Sequence, residues 1–100
     1  RNLSFSPSLL PVIDQYVRQY HPQTHLFECT ARNLEYVLSD AANEAEIKER
    51  VSFETLRWTC AVRDYRYGME PELLRKKLGL SPISWRETYE KIQQLANPGL

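Results

Sequence analysis

The chain reads as a mainly α domain of about five helices with a minor edge strand, an α+β fold only in that small sense. Three observations predict this. Apolar residues recur at Leu34, Val37, Leu38 and Ala41, the i, i+3, i+4, i+7 stripe of an amphipathic helix. Glycines at 68 and 79 follow further helical runs, where a left-handed stop is needed. Serines at 52 and 84 stand where N-caps belong, and Ser84-Trp85-Arg86-Glu87 has the pattern of a capping box.

In chain order, Asn2–Ser6 (NLSFS) alternates polar and apolar residues, as an edge strand or hairpin arm does. A first helix starting near Ser8 tolerates Pro11 in its first turn, where a missing N–H costs little. It aligns Leu10, Ile13, Val17 and Tyr20 on one face. Residues 21–28 form a loop, with a brief extended piece expected at Leu26–Phe27. The second helix opens at Thr30. The third runs from Ser52 to about Tyr67 and stops at Gly68. Pro71 suits the first turn of a fourth helix that Gly79 ends. The fifth begins at Ser84 and presents Trp85, Tyr89, Ile92 and Ala96 along one stripe, leaving a frayed tail over Asn97–Leu100.

One hundred residues make a single domain or part of one, and a chain of this size buries a modest core. With 42% hydrophobic and 26% charged residues, the composition is that of an ordinary soluble globular protein. No apolar run is long enough to span a bilayer, so no membrane role and a cytoplasmic location are expected. The first residue, Arg1, is not a methionine, which points to an excised segment. Cys29 and Cys60 are too few and too distant for a disulfide framework, which agrees with a reduced setting.

The formal net charge is zero, far from the balance of a dedicated nucleic-acid binder. Its distribution is uneven: residues 1–50 carry five Lys/Arg against seven Asp/Glu, and residues 51–100 carry eight against six. Arg75-Lys76-Lys77 is the only dense basic run. It is a candidate DNA contact, although so short a run is more often a solvated helix face. His21, His25 and Cys29 lack metal spacing, and three glycines leave no phosphate-cradling loop, so neither metal nor cofactor is expected.

The stretch Leu56–Tyr89 carries the chemistry. It sets Arg57 at the head of one helix and Tyr89 inside another, across a glycine-punctuated third. A tyrosine hydroxyl can attack a phosphodiester and conserve its energy as an ester, without a metal or a high-energy cofactor. With a pKa near ~10 it needs a proton acceptor and charge neutralisation at the phosphoryl oxygens. An arginine fork bridges two such oxygens.

Glu54-Thr55-Leu56-Arg57-Trp58-Thr59, Gly68-Met69, Leu78-Gly79-Leu80-Ser81-Pro82-Ile83 and Tyr89, nine residues after Leu80, together resemble the end of a tyrosine recombinase (phage integrase) catalytic domain. The resemblance covers most of the chain and is specific in residues 52–92. It implies that Arg57 is the phosphate-clamping arginine and Tyr89 the nucleophile of site-specific DNA recombination or integration, with double-stranded DNA as the partner. Glu54 stands where the family has a histidine, and Leu80 where it has a second histidine or a tryptophan. A carboxylate at 54 repels phosphate, and an aliphatic side chain at 80 moves no proton. The family's first arginine and hairpin lysine would precede Arg1. The isolated chain is therefore expected to be inactive.

Other readings stay open. Tyr89 lies on an apolar stripe and suits a half-buried core tyrosine. Glu54 suits the positive end of its helix, and Arg57 can pair with it at i, i+3. Trp58 and Trp85 read as core or interface anchors. Pro71–Gly79 and Ser84–Ala96 could form a non-catalytic helix-turn-helix, with Arg86 leading the recognition helix. A protein-interaction domain, self-associating or docking the rest of its own catalytic domain, is the third class.

Overall fold

The computed structural model describes residues 2–98 and consists of helices joined by short connections. A 3-10 turn at Pro7–Leu9 runs into α1 (Leu10–Tyr20), followed by α2 (Ala31–Glu44), α3 (Phe53–Arg66), α4 (Pro71–Leu78) and α5 (Pro82–Ala96). The mainly α reading holds, with five α-helices and no strand among the described residues.

The edge strand expected at Asn2–Ser6 is irregular chain instead, and Leu26–Phe27 is a bend rather than an extended piece. Both segments alternate or cluster apolar residues, but a strand needs a neighbour to take its backbone groups, and neither has one. Asn2, Leu3 and Ser4 instead border a hollow beside α4 with Met69, Leu73 and Gly79.

The helix boundaries follow their caps. Thr30 accepts a hydrogen bond from the Asn33 N–H (3.1 Å) at the start of α2. At α3 the Thr55 N–H donates to Ser52 Oγ (3.1 Å) and the Ser52 N–H donates to Thr55 Oγ1 (2.8 Å), a reciprocal capping box. Gly68 (φ 89°) and Gly79 (φ 73°) supply the left-handed residues after α3 and α4.

The fifth helix departs from expectation. Ser81 is its N-cap, accepting from the Ser84 N–H (3.2 Å), and Pro82 occupies the first turn. The helix therefore starts two residues before Ser84. A proline already set at helical φ extends the helix towards the preceding serine, which outcompetes the pattern Ser84–Glu87. Asn97 is the C-cap residue of α5; the rest of the expected frayed tail, beyond Pro98, lies outside the described residues.

The core sits in the second half of the chain. Ala61, Leu74, Leu78 and Ile92 are buried together, with Leu74 and Ile92 fully enclosed. Trp58, Val62, Tyr65, Met69, Leu80 and Trp85 pack around them. Helices α3, α4 and α5 all pack against one another, most extensively α3 with α5. Arg66 Nη2 donates to the Ala96 carbonyl (3.1 Å) and ties the end of α5 to α3.

The helices before α3 have no comparable packing. In α1, Leu10, Val17 and Tyr20 are exposed and Ile13 of the same face is half-buried, so the predicted face is present but only partly covered. Tyr16 makes local aromatic contacts with Tyr20 and Phe27 (centroids 5.0 and 5.3 Å). In α2 only Ala42 is buried, while Val37 of the predicted stripe is 63% exposed. The Cα radius of gyration is 16.3 Å, against about 13 Å for a compact 100-residue domain.

No helix among the described residues is long and apolar enough to cross a membrane.

Candidate functional site

The capping box starts α3 at Phe53, so Glu54 lies in its first turn and Arg57 one turn further on. Gly79 turns the chain out of α4 and delivers Leu80 alongside, and α5 brings Thr88 and Tyr89. Glu54, Arg57, Leu80 and Thr88 surround one hollow of about 180 Å³, floored by Trp58, Ala61 and Leu78. Three of the four positions singled out by sequence thus meet at the junction of α3, α4 and α5.

Their bonding differs from the expectation. Arg57 Nη2 donates to the Leu78 carbonyl, one of the orphan carbonyls at the end of α4. One nitrogen of the guanidinium therefore caps α4, while the side chain as a whole stays exposed. It forms no ion pair with Glu54 among the described residues, so the anticipated i, i+3 pairing is not made. The reason is positional: a helix C-terminus offers negative partial charge across the turn, without drawing Arg57 back towards its own helix start.

Tyr89 does not line the hollow. Its ring is half-buried, tilted against Trp85 (centroids 5.0 Å) and edge-on to Tyr65 (5.9 Å). As described, Arg57 and Tyr89 are engaged in separate contacts, one with backbone and one with aromatic rings. Leu80 packs on the core and presents no proton-transfer group.

The basic run is largely committed internally. Arg75 makes a paired bond to Glu72 (Nε–Oε1 3.0 Å, Nη2–Oε2 2.9 Å) and donates to the Leu80 carbonyl (2.9 Å). This pairing holds the Glu72 carboxyl below its usual range and raises Arg75. Lys77 Nζ lies 2.7 Å from Asp64 Oδ2, and that hydrogen bond raises the lysine above its ordinary value against the opposing effect of burial. Cys60 Sγ also donates to Asp64 (3.6 Å). Lys76 and Arg86 are exposed and make no ion pair among the described residues.

Sequence reasoning missed a second feature. A groove of about 740 Å³ runs between α3 and α5, lined by Trp58, Val62, Tyr67 and Leu95 with Arg63, Arg66 and Lys91. Lys91 Nζ stands 4.6 Å from the centre of the Trp58 ring, a cation–π distance. Trp58 forms a wall shared by this groove and the Arg57 hollow. Arg63 and Arg66 were visible as basic residues near the end of a helix, where they would be read as complementing the helix dipole. Their meeting with Lys91 is a tertiary event that spacing does not encode. Among the described residues no three His, Cys, Asp or Glu side chains gather as a metal site would require, and Cys29 and Cys60 are free thiols.

No protein-family profile, curated protein or solved structure matches the chain.

Proposed function

We propose that this chain is a DNA-handling module of the tyrosine recombinase type, working on double-stranded DNA in the cytoplasm and catalytically silent by itself. The observation that supports this most is the convergence of Glu54, Arg57, Leu80 and Thr88 on one hollow. Glu54, Arg57 and Leu80, chosen for their spacing and up to 26 residues apart in sequence, line that hollow, whereas Tyr89 stands outside it. Arg57 is the group there suited to a phosphodiester oxygen.

The same geometry supports the silence. Phosphoryl transfer to Tyr89 would form a tyrosyl O–P bond, break the bond to the leaving sugar oxygen and hand that oxygen a proton. Arg57 would first have to leave the Leu78 carbonyl, and Tyr89 its ring contacts. Neither Glu54 nor Leu80 replaces the family's histidines there: one is a carboxyl that adds negative charge beside a phosphate, the other an aliphatic chain with no proton to give. The chain in this form binds phosphate without cleaving beside it.

The helix-turn-helix alternative is less well supported, because Arg75 and Lys77 are both bonded within the fold. That leaves Lys76 and Arg86 as the exposed cations of α4 and α5 nearest to such a use.

Fluorescence anisotropy with a labelled duplex tests the reading. Weak binding is expected, with a shallow salt slope matching about two or three phosphate contacts. Substituting Arg57→Ala, Lys76→Ala and Arg86→Ala together should lower affinity at least tenfold. Equal binding by wild type and the triple variant would reject the proposal. A nicked suicide duplex should yield no covalent adduct with the chain alone; an adduct that survives Tyr89→Phe would remove the tyrosine from the site.

A further inference from the structure

The molecule has far more surface than its mass calls for. Its accessible area is 8680 Å², whereas a compact monomer of 11.8 kDa exposes about 5,900 Å². The surplus, roughly 2,800 Å², matches the scale buried in obligate assemblies rather than in passing encounters. Part of it lies on faces of α1 and α2 where Leu10, Val12, Val17, Tyr20, Tyr36 and Val37 are exposed, and neither helix packs extensively on α3–α5.

One of those faces has a counterpart on the same molecule. On α2, Val37, Asp40, Ala41 and Glu44 fall at i, i+3, i+4 and i+7 and all four are exposed. Two small apolar side chains thus run alongside two carboxylates on one face, and neither carboxylate has an ion-pair partner among the described residues. The groove between α3 and α5 is the inverse. Its floor is Trp58, Val62 and Leu95, its rim carries Arg63, Arg66 and Lys91, and no carboxylate lines it. Neither Arg63 nor Lys91 is ion-paired among the described residues. The division of charge along the chain agrees, with an acidic first half and a basic second half.

We propose that the α3–α5 groove receives α2 of a second copy of this chain. Val37 and Ala41 settle on the Trp58–Val62–Leu95 floor, and Asp40 and Glu44 meet Arg63 and Lys91 at the rim. A reciprocal pair of such contacts closes a two-fold dimer, each copy giving one helix and one groove. Arg66 already caps α5 through Ala96 and serves mainly to hold the groove's shape. The contact does not depend on DNA, so its failure and that of the DNA reading are separately visible.

Sedimentation velocity or light scattering without DNA decides the matter. The wild-type chain should shift from monomer to dimer with rising concentration, and the shift should weaken as salt rises. An α2 variant (Asp40→Lys with Glu44→Lys) and a groove variant (Arg63→Glu with Lys91→Glu) should each stay monomeric at concentrations where wild type is paired. An equimolar mixture of the two should dimerise again, because each reversed helix then meets a reversed groove. Circular dichroism checks that both variants keep wild-type helicity. If charge reversal costs helicity, Val37→Arg in α2, at a site with no packing to lose, replaces it. A wild-type chain that stays monomeric throughout, variants that still dimerise, or a mixture that does not recover would overturn the proposal.

Discussion

The two halves of this chain use similar helical patterns to different ends. In α3–α5, apolar stripes from separate helices meet and enclose Leu74 and Ile92 completely. In α1 and α2, stripes of comparable pattern are covered only in part: Ile13, Leu34 and Leu38 are half-buried, Leu10, Val17, Tyr20 and Val37 stay exposed, and only Ala42 is buried. An amphipathic stripe specifies which face will be covered, but not by what. The second half finds its covering within the chain; the first half is left with faces available to another surface.

The most forceful way to break this comparison is by truncation. Leu74→Ala or Ile92→Ala should destabilise the fold by about 2–5 kcal/mol, through lost burial and the cavity left behind. Val37→Ala or Leu10→Ala should stay within about 0.5 kcal/mol, since both side chains already face water. Urea unfolding followed by circular dichroism, at concentrations low enough to keep the chain monomeric, measures both. A loss at Val37 as large as that at Leu74 would mean the two halves form one cooperative core.

Helix ends sharpen the contrast at a smaller scale. Gly79→Ala should cost about 1–2 kcal/mol, because φ 73° places an L side chain in the left-handed region. Ser52→Ala should cost about 1 kcal/mol by opening the capping box of α3. Thr30→Ala removes an equivalent cap from α2, yet it should scarcely move the main unfolding transition. It should instead speed amide hydrogen exchange in α2 alone. Equal effects of the two cap substitutions on the main transition would erase the distinction.

The smallest effect concerns the ion pair joining α3 to α4. Lys77 titrates above its ordinary value because it is hydrogen-bonded to Asp64. Its contribution is fully present below the unfolded pKa, near ~10.4, and is lost as pH rises through the higher folded value. Lys77 is partly exposed, so the contribution is under about 1 kcal/mol. Asp64→Asn should therefore flatten the alkaline decline of stability above about pH 10 and leave its slope near neutrality little changed. Melting temperatures measured between pH 7 and pH 11 would show this, and an undiminished alkaline decline in Asp64→Asn would assign it elsewhere.

Much of the local structure was legible beforehand because it is decided within a few residues. Thr30, Ser52, Gly68, Pro71 and Gly79 each act through their own φ, ψ and nearest hydrogen-bonding groups, and each stands where it was expected. Ser84 was misread because Ser81-Pro82 offered a competing start, and the proline's fixed φ favoured it. Asn2–Ser6 was misread because a strand depends on a partner that local alternation does not supply. Of the candidate site, Glu54, Arg57 and Leu80 line one hollow, while Arg57 bonds the Leu78 carbonyl and Tyr89 packs on Tyr65 and Trp85, contacts that spacing along the chain does not specify.

By itself, the sequence determined which segments are helical, where α2, α3 and α4 begin, where α3 and α4 stop, and which faces are apolar, because these are short-range properties of backbone and side chain. Only the tertiary structure decided which faces are covered, that Arg57 caps α4, that Tyr89 packs between Tyr65 and Trp85, and that Arg63, Arg66 and Lys91 share a groove. Those outcomes depend on helices brought together from distant parts of the chain, where a guanidinium or a ring takes the best partner in reach and spacing along the sequence no longer says which one that is.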